Sequence, residues 1–381
     1  METNTSTRLP VIDFLRGIAL FGILVVNIWV FSTSFIAYEE WTTHFSPTVD
    51  PLLMRVSAFA FEQRFVGIFS LLFGLSIAIQ QQRYAGKQVS FGRYYFKRSI
   101  VFIGLGILNI LLFFWGDILL IYGVLSLLLY PLLKLSNKTL LWIAAGVFLV
   151  PLGLFLSGPF KMMMHEYEEG IRNYYTPESL TLTYQSGSFT EMMIARIREY
   201  ISYNALNIQW QRTAFAIMLV GYVIGRSQLY LTYTQYATPI KWILAGCIIY
   251  TLAFGGYFFI GKQTLLPWEV FFSLYTLFIP VSICLYIALL LWAFQFKPLQ
   301  LITKYISDLG RLSLSNYFFQ SIAGSFLFTH AGLCWYFHTT PSTNFLIALS
   351  IFGLQLLLTH LYLKKFTTGP MEILIRKLTS R

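Results

Sequence analysis

Apolar stretches of about 18 residues or more recur along the whole 381-residue chain, separated by short polar segments. None shows the alternation of a barrel strand. A segment of that length in hydrocarbon must satisfy its own backbone groups, so each is read as a helix. The pattern predicts an all-α membrane bundle of about ten transmembrane helices. They are expected at residues 11–31, 65–80, 100–115, 118–131, 139–156, 204–225, 242–260, 268–294, 312–328 and 345–363. Two amphipathic stretches accompany them: 52–61 approaches the second helix, and 191–205 is expected to lie along a membrane surface before the sixth. The longest polar segment, 157–199, reads as a long external loop, and 364–381 as a basic cytoplasmic tail. No internal repeat stands out beyond a short echo, Asp13/Arg16 and Asp308/Arg311 at the starts of helices one and nine.

Composition sharpens this reading. Side chains are 56% hydrophobic and 11% charged, where a soluble domain carries about a quarter charged. A water-soluble globule is excluded. Asp13 and Arg16 inside the first apolar run argue against a cleaved signal peptide and for a retained first helix. A net charge of +11 would suggest nucleic acid in a soluble protein, but here it sorts by loop. One side collects 19 Lys/Arg against 4 Asp/Glu and the other 8 against 12, the asymmetry of the positive-inside rule. Both termini are therefore expected in the cytoplasm and the chain in the cell membrane as a multi-pass protein. The lipid bilayer is the expected partner and nucleic acid is not. Trp242, Trp268 and Trp292 stand where an interfacial aromatic belt would put them. Cys247, Cys284 and Cys334 have no metal-like spacing, and no metal is expected.

Ionisable groups within membrane helices are costly and are functional candidates until a structural partner is found. Asp13, Arg16, Leu20 and Asn27 share one face of helix one at the 3.6-residue period. Glu62 and Arg64 stand at the outer end of helix two, with Ser76 and Gln80 continuing the Glu62 face. Asn204, Asn207 and Gln211 line one face of helix six beside Arg212, and helix nine offers Arg311, Ser315, Asn316 and Gln320. Gly116 and Asp117 form the tip of the hairpin between helices three and four. Four polar stripes predict a solvated central cavity; hydrogen-bonded glue between helices is the competing explanation. Of the histidines, His44 and His165 fall in outer loops. No Walker sequence, zinc spacing or nucleophile elbow is present.

Six blocks carry a family resemblance. The run from Arg8 through Asp13, Arg16 and Gly22 to Asn27 resembles the opening of the YeiB-like membrane family. Residues 61–74, with Glu62, Arg64 and Gly74, resemble its second-helix block, and Trp115-Gly116-Asp117 to Tyr122 its hairpin block. Met218 to Arg226 is similar to the sixth-helix block; Gly310 to Ser321 and Gly369-Pro370-Met371-Glu372 are similar to the closing ones. YeiB-like proteins resemble the transmembrane acyltransferases, which include heparan-alpha-glucosaminide acetyltransferase and bacterial acyltransferases of cell-surface sugars. The resemblance implies an acyl group taken from cytoplasmic acyl-CoA, such as acetyl-CoA, and passed to an acceptor on the far side. His44, followed by Asp50, is the nearest counterpart of the working histidine in the first outer loop of the heparan enzyme, although its spacing to the second-helix block is longer. Asn109 stands where YeiB-like relatives commonly place a histidine before the hairpin's Gly-Asp, so a titrating base at that position is missing.

An acyltransferase is the first expectation. His44, or failing it Asp117 or Glu62, would act as base on a hydroxyl or amine of a small-molecule or saccharide acceptor. Arg16, Arg311 and Arg98 would hold the phosphates of CoA. Asn316, Gln320 or Asn27 would donate to the oxyanion, and Asp13, Asn109, Asn207, Gln211 and Arg212 would line the cavity. The alternatives are a transporter or flippase using Asp13, Glu62, Asp117 and Arg212, against which the sequence shows no paired broken helices, and a non-catalytic scaffold. A homodimer is compatible with any of these.

Overall fold

The computed structural model describes residues 9–379 except 44, 47, 86–89, 156–161, 163–165, 167–168, 171–175, 233–236 and 261–267. Among the described residues there are helices and no strands. In chain order these are α1 (Pro10–Ser32), α2 (Tyr38–Thr42), α3 (Val49–Ala60), α4 (Arg64–Tyr84), α5 (Phe91–Leu112), α6 (Leu119–Leu129) and α7 (Asn137–Phe155). There follow α8 (Pro177–Ser186), α9 (Phe189–Leu206), α10 (Ile208–Arg226), α11 (Leu229–Thr232), α12 (Ala237–Ile260) and α13 (Trp268–Gln295). The last are α14 (Gln300–Arg311), α15 (Ser313–Phe328), α16 (Pro341–Leu363) and α17 (Pro370–Thr379).

Among the described residues six segments are long and apolar enough to cross a membrane: α1, the stretch Val49–Tyr84 holding α3 and α4, α5, Lys241–Phe259 of α12, Val270–Gln295 of α13, and α16. Leu119–Lys134 and Asn137–Leu149 are shorter apolar helices. This is a membrane protein. At 1.5 Å per residue α1 is about 34 Å long, enough for a bilayer core. It runs from the end of the bundle near Arg16, called here the basic end, to a distal end near Thr33.

Two helices form the centre. One side of α1 packs on α14, α15 and α16 and the other on α4, and α4 in turn packs along α10. That last crossing is close because it is made by glycines. A Cβ at Gly74 would stand 2.0 Å from the Met218 carbonyl oxygen, and one at Gly221 2.0 Å from that of Leu71. Small residues give membrane helices their only route to such close backbone approach. Gly221→Val should therefore cost about 1–3 kcal/mol, at the upper end because the obstacle is backbone. Gly246→Ala, on α12 with nothing within 4 Å of an added Cβ, should stay near wild type. Thermal melting of the purified variants checks both.

The elements depart from the sequence reading where amphipathic helices continue beyond their apolar run. α5 begins at Phe91, so Arg93, Lys97 and Arg98 lie on a helix and not in a basic loop. Tyr95 and Arg98 are buried there, and long cationic side chains pack their stems while hydropathy counts only the charge. Residues 157–199 likewise include α8 and most of α9. These two helices pack over the distal end, where Leu180, Tyr184, Met192 and Ala195 form a core with Ile36, Trp115 and Tyr336. Thr176 and Ser188 cap them, Ser188 through a capping box with Glu191.

Two buried ionisable residues anchor this cap. The Arg196 guanidinium donates to the Leu112 carbonyl at 2.8 Å, to the Leu111 carbonyl at 3.3 Å and to Ser325 Oγ at 3.1 Å. It thereby satisfies carbonyls that the end of α5 leaves without intrahelical partners. One turn on, Glu199 is buried and accepts from the Tyr184 hydroxyl at 2.5 Å. Burial pushes the Glu199 carboxyl up to about 7, against the lowering pull of Ser34, Tyr184 and Arg196.

Candidate functional site

A cavity of about 450 Å³ opens at the basic end between α1, α4, α5, α6, α15 and α17. Its polar lining includes Arg16, Ser76, Gln80, Arg98, Glu372 and Arg376. Arg16 is held by Asp13, at 3.2 Å, and by Ser76 Oγ. Asp13 does not line the cavity but orients a residue that does. Arg98 is wedged between the rings of Phe73 and Phe102, its guanidinium 4.8 and 4.6 Å from their centroids, which fixes its direction at little cost in rotamer freedom. One wall comes from α17. Glu372, Arg376 and Thr379 recur there at helical spacing and line the cavity. The Glu372 carboxylate accepts from the amides of Leu314 at 2.9 Å and Ser315 at 3.3 Å, so a helix N-terminus seats this wall. Arg311 donates to the Thr367 carbonyl in the turn before α17. It supports the wall and is not among the cavity's lining residues.

Two further cavities lie toward the distal end. The first, about 210 Å³, brings together Asn27, Glu62, Gln63, Asp117, Asn204 and Asn207. The second, about 480 Å³, shares Val26, Val30, Glu62, Trp115 and Tyr203 with it and adds Tyr38, Trp41 and Arg55. Two helix junctions deliver the polar groups. Gln63 takes a left-handed φ of 61° where α3 gives way to α4, turning Glu62 and Gln63 into the first of these cavities. Asn207, with φ −111° and ψ 34°, ends α9 and begins α10. Beside Glu62, Arg64 is fully buried, donates to the Glu62 carbonyl and the Tyr275 hydroxyl, and lies over the rings of Tyr275 and Phe278.

A thin wall separates the basic-end cavity from the distal ones, and Ile118 lines both sides of it. Asp117 faces the distal side and Tyr317 the basic side. The Tyr317 hydroxyl donates to Asp117 Oδ2 at 3.1 Å and accepts from the Ile118 amide at 3.2 Å. Asn109 Nδ2 donates to the same Oδ2 at 2.7 Å, and the Leu120 amide to Oδ1 at 2.9 Å. Tyr317, Asn109 and the Leu120 amide thus aim three donors at one buried carboxylate. Burial nevertheless raises Asp117 to about 6, because desolvation outweighs these hydrogen bonds.

Residues 224–381 match the family model described as protein of unknown function (DUF418). The uncharacterized protein YxaH of Bacillus subtilis (strain 168) is 26% identical over 401 residues, covering 99% of this chain and 95% of its own. The uncharacterized protein YeiB of Escherichia coli (strain K12) is 27% identical over 400 residues, covering 100% of this chain and 97% of its own. Over nearly its whole length the chain is similar to these YeiB-like proteins. No solved structure matches it.

The YeiB-like blocks converge on the three cavities. The first-helix block supplies Arg16 and Asn27, the second Glu62, the hairpin Asp117, the ninth-helix block Tyr317 and the closing block Glu372. Other expected site residues serve as links between helices. Asn316 Nδ2 donates to Thr359 Oγ1 at 3.2 Å, Gln320 to Gln355 Oε1 at 3.0 Å, and Gln355 to the Asn316 carbonyl at 2.8 Å. These contacts join α15 to α16 and place neither Asn316 nor Gln320 on the cavities described. Arg212 donates to the Val147 and Phe148 carbonyls of α7, and Gln211 to Asn204. Asn109 supports Asp117 from behind. His44 lies outside the described residues.

Tyr317 and Arg376 were not singled out from the sequence. Tyr317 sits next to Asn316 in a block whose amides drew attention first, and an aromatic residue in a membrane helix carries no signal of its own. For Arg376, the i, i+4, i+7 spacing of Glu372, Arg376 and Thr379 was a usable sign.

Proposed function

We propose that this protein is a membrane acyltransferase that takes an acyl group from cytoplasmic acyl-CoA and transfers it to a hydroxyl or amine acceptor entering from the far side. The reading is supported above all by the two sets of cavities meeting at the single wall of Asp117, Ile118 and Tyr317. Arg16, Arg98 and Arg376 suit the phosphates of CoA in charge and geometry, and about 450 Å³ falls within the range of pockets for ligands of this kind. The acyl end would lie against Ile118, and the acceptor would come through the distal cavities past Glu62. Asp117 is favoured over Glu62 as the base because it stands at the wall itself, with His44 the remaining candidate. The charge asymmetry of the loops supports ten crossings of the cell membrane, with the basic end and both termini in the cytoplasm.

The test uses the full chain in lipid nanodiscs with radiolabelled acetyl-CoA and a panel of monosaccharides and amino sugars. Labelled acceptor, with acetyl-CoA protecting the basic-end cavity from arginine-directed reagents, is the expected result. Neither labelling nor protection would remove the proposal.

The helix junctions at Glu62–Gln63 and Asn207, both on one cavity, favour a second reading as a transporter, since interrupted helices commonly build substrate sites at mid-membrane. Uptake of label into proteoliposomes without release of CoA would select it.

A further inference from the structure

The reaction proposed above leaves a proton on one side of the wall and needs one on the other. The acceptor loses its proton in the distal cavity, whereas the sulfur of CoA departs into the basic-end cavity. Only one side-chain pair among the described residues bridges Ile118 between these spaces, Asp117 and Tyr317, joined at 3.1 Å.

Resting on that reading, we propose that Asp117 and Tyr317 form a proton relay through the wall, with Tyr317 as the acid that protonates the departing thiolate. The acceptor heteroatom attacks the thioester carbonyl while its proton passes to Asp117. The carbon–sulfur bond breaks and its electron pair leaves on sulfur. Once Asp117 is protonated it ceases to accept from Tyr317 and becomes a donor to the phenolic oxygen, so the phenolic hydrogen is released toward the basic-end cavity and the sulfur. In the same step Asp117 passes its own proton to the phenolic oxygen. The products are the acylated acceptor and CoA thiol, and the pair is restored without a free tyrosinate.

The surrounding contacts fit this task. The Ile118 amide donates to the phenolic oxygen at 3.2 Å, which stabilises negative charge developing there while the proton moves. Asn109 and the Leu120 amide keep the carboxylate fixed from its other sides at 2.7 and 2.9 Å. Neither of those partners titrates at accessible pH, so the proton accepted by Asp117 has one titratable neighbour among these hydrogen-bond partners, Tyr317. This also gives the asparagine at position 109 a physical role: a fixed donor there leaves the exchange with Tyr317 as the route for the proton.

The experiment follows CoA thiol release by the full chain in nanodiscs, with acetyl-CoA and the same sugar panel. Tyr317→Phe should lower kcat about 100-fold with KM for acetyl-CoA within about threefold of wild type. The wild-type rate should fall along a curved line as the D₂O fraction rises, because two protons move together, and the variant's residual rate along a straight one. An unchanged kcat in Tyr317→Phe, or a straight line for wild type, overturns the relay while leaving acyl transfer intact. The wild-type isotope measurement decides the matter even if the variant does not fold. Absence of thiol release from wild type removes the parent proposal and the relay with it.

Discussion

Asp117→Asn is expected to lower acyl transfer about 10²–10⁴-fold, the usual contribution of a positioned acid or base, while the protein melts at or above the wild-type temperature. The two halves of this expectation have one cause. Asp117 is buried, and burial raises its carboxyl to about 6. The ionised form needed to accept a proton is thus the form that folding disfavours. An amide of the same shape still accepts from Tyr317 and Asn109 through its oxygen and is not desolvated as an anion, which offsets the acceptor lost to the Leu120 amide. It cannot take a proton. In wild type the folded pKa lies above the unfolded value of 3.8, so the contribution of Asp117 to stability is full below that value and declines as pH rises through about 6. Activity should run the other way, rising through the same interval as the base becomes ionised. Melting curves and initial rates on the same samples between pH 5 and 8 check the pair of trends; a parallel rise of both with pH would contradict it.

Arg196→Met is expected to destabilise the distal cap by about 1–3 kcal/mol at pH 8, the typical result of leaving buried hydrogen-bond partners unsatisfied. Three acceptors lose their donor: the Leu111 and Leu112 carbonyls at the end of α5, and Ser325 Oγ. Glu199 loses the nearby positive charge that helps keep it ionised. The sign of the pH dependence follows from Glu199. Its folded value of about 7 exceeds the ordinary carboxyl value of 4.5, so its contribution is complete below about 4.5 and is lost as pH rises through 7. Without Arg196 the folded value moves higher still, and the deficit of the variant should shrink on acidification toward pH 5, where Glu199 is neutral in both proteins. Glu199→Gln in the same background should flatten the dependence. Thermal melting of the three proteins across that range tests the account, and a deficit independent of pH would assign the loss to the α5 carbonyls alone.

The apolar spans were legible because bilayer solvent imposes length and hydropathy directly on sequence. α1, α12, α13 and α16 begin and end within a few residues of the apolar runs. Amphipathic helices were less legible. The start of α5 and the helices α8 and α9 carry enough charge to resemble loops, and it is burial of Tyr95, Arg98, Tyr184 and Arg196 that makes them structured. The site shows the same division. Arg16, Asn27, Glu62 and Asp117 were readable because a polar group on an apolar helix is conspicuous, and all four line cavities. Asn316 and Gln320 were equally conspicuous, yet the structure pairs them with Gln355 and Thr359 on the neighbouring helix. Periodicity gives a residue's face but not what lies opposite. The interruptions at Gln63 and Asn207 fall where the amphipathic stretches 52–61 and 191–205 give way to apolar runs, although no proline or glycine marks either one.

The wall that α17 gives to the basic-end cavity bears on how the molecule is assembled. A chain that stopped after Leu363 would still contain every one of the six long apolar segments and could insert as a membrane protein, yet the chamber would lack Glu372 and Arg376 and stand open on one flank. The chamber is therefore closed only when α17 docks on the bundle, and the same docking brings the Glu372 carboxylate to the first turn of α15. Crossing the bilayer and completing this chamber are thus separate demands on the chain, the second met by a helix outside the long apolar segments.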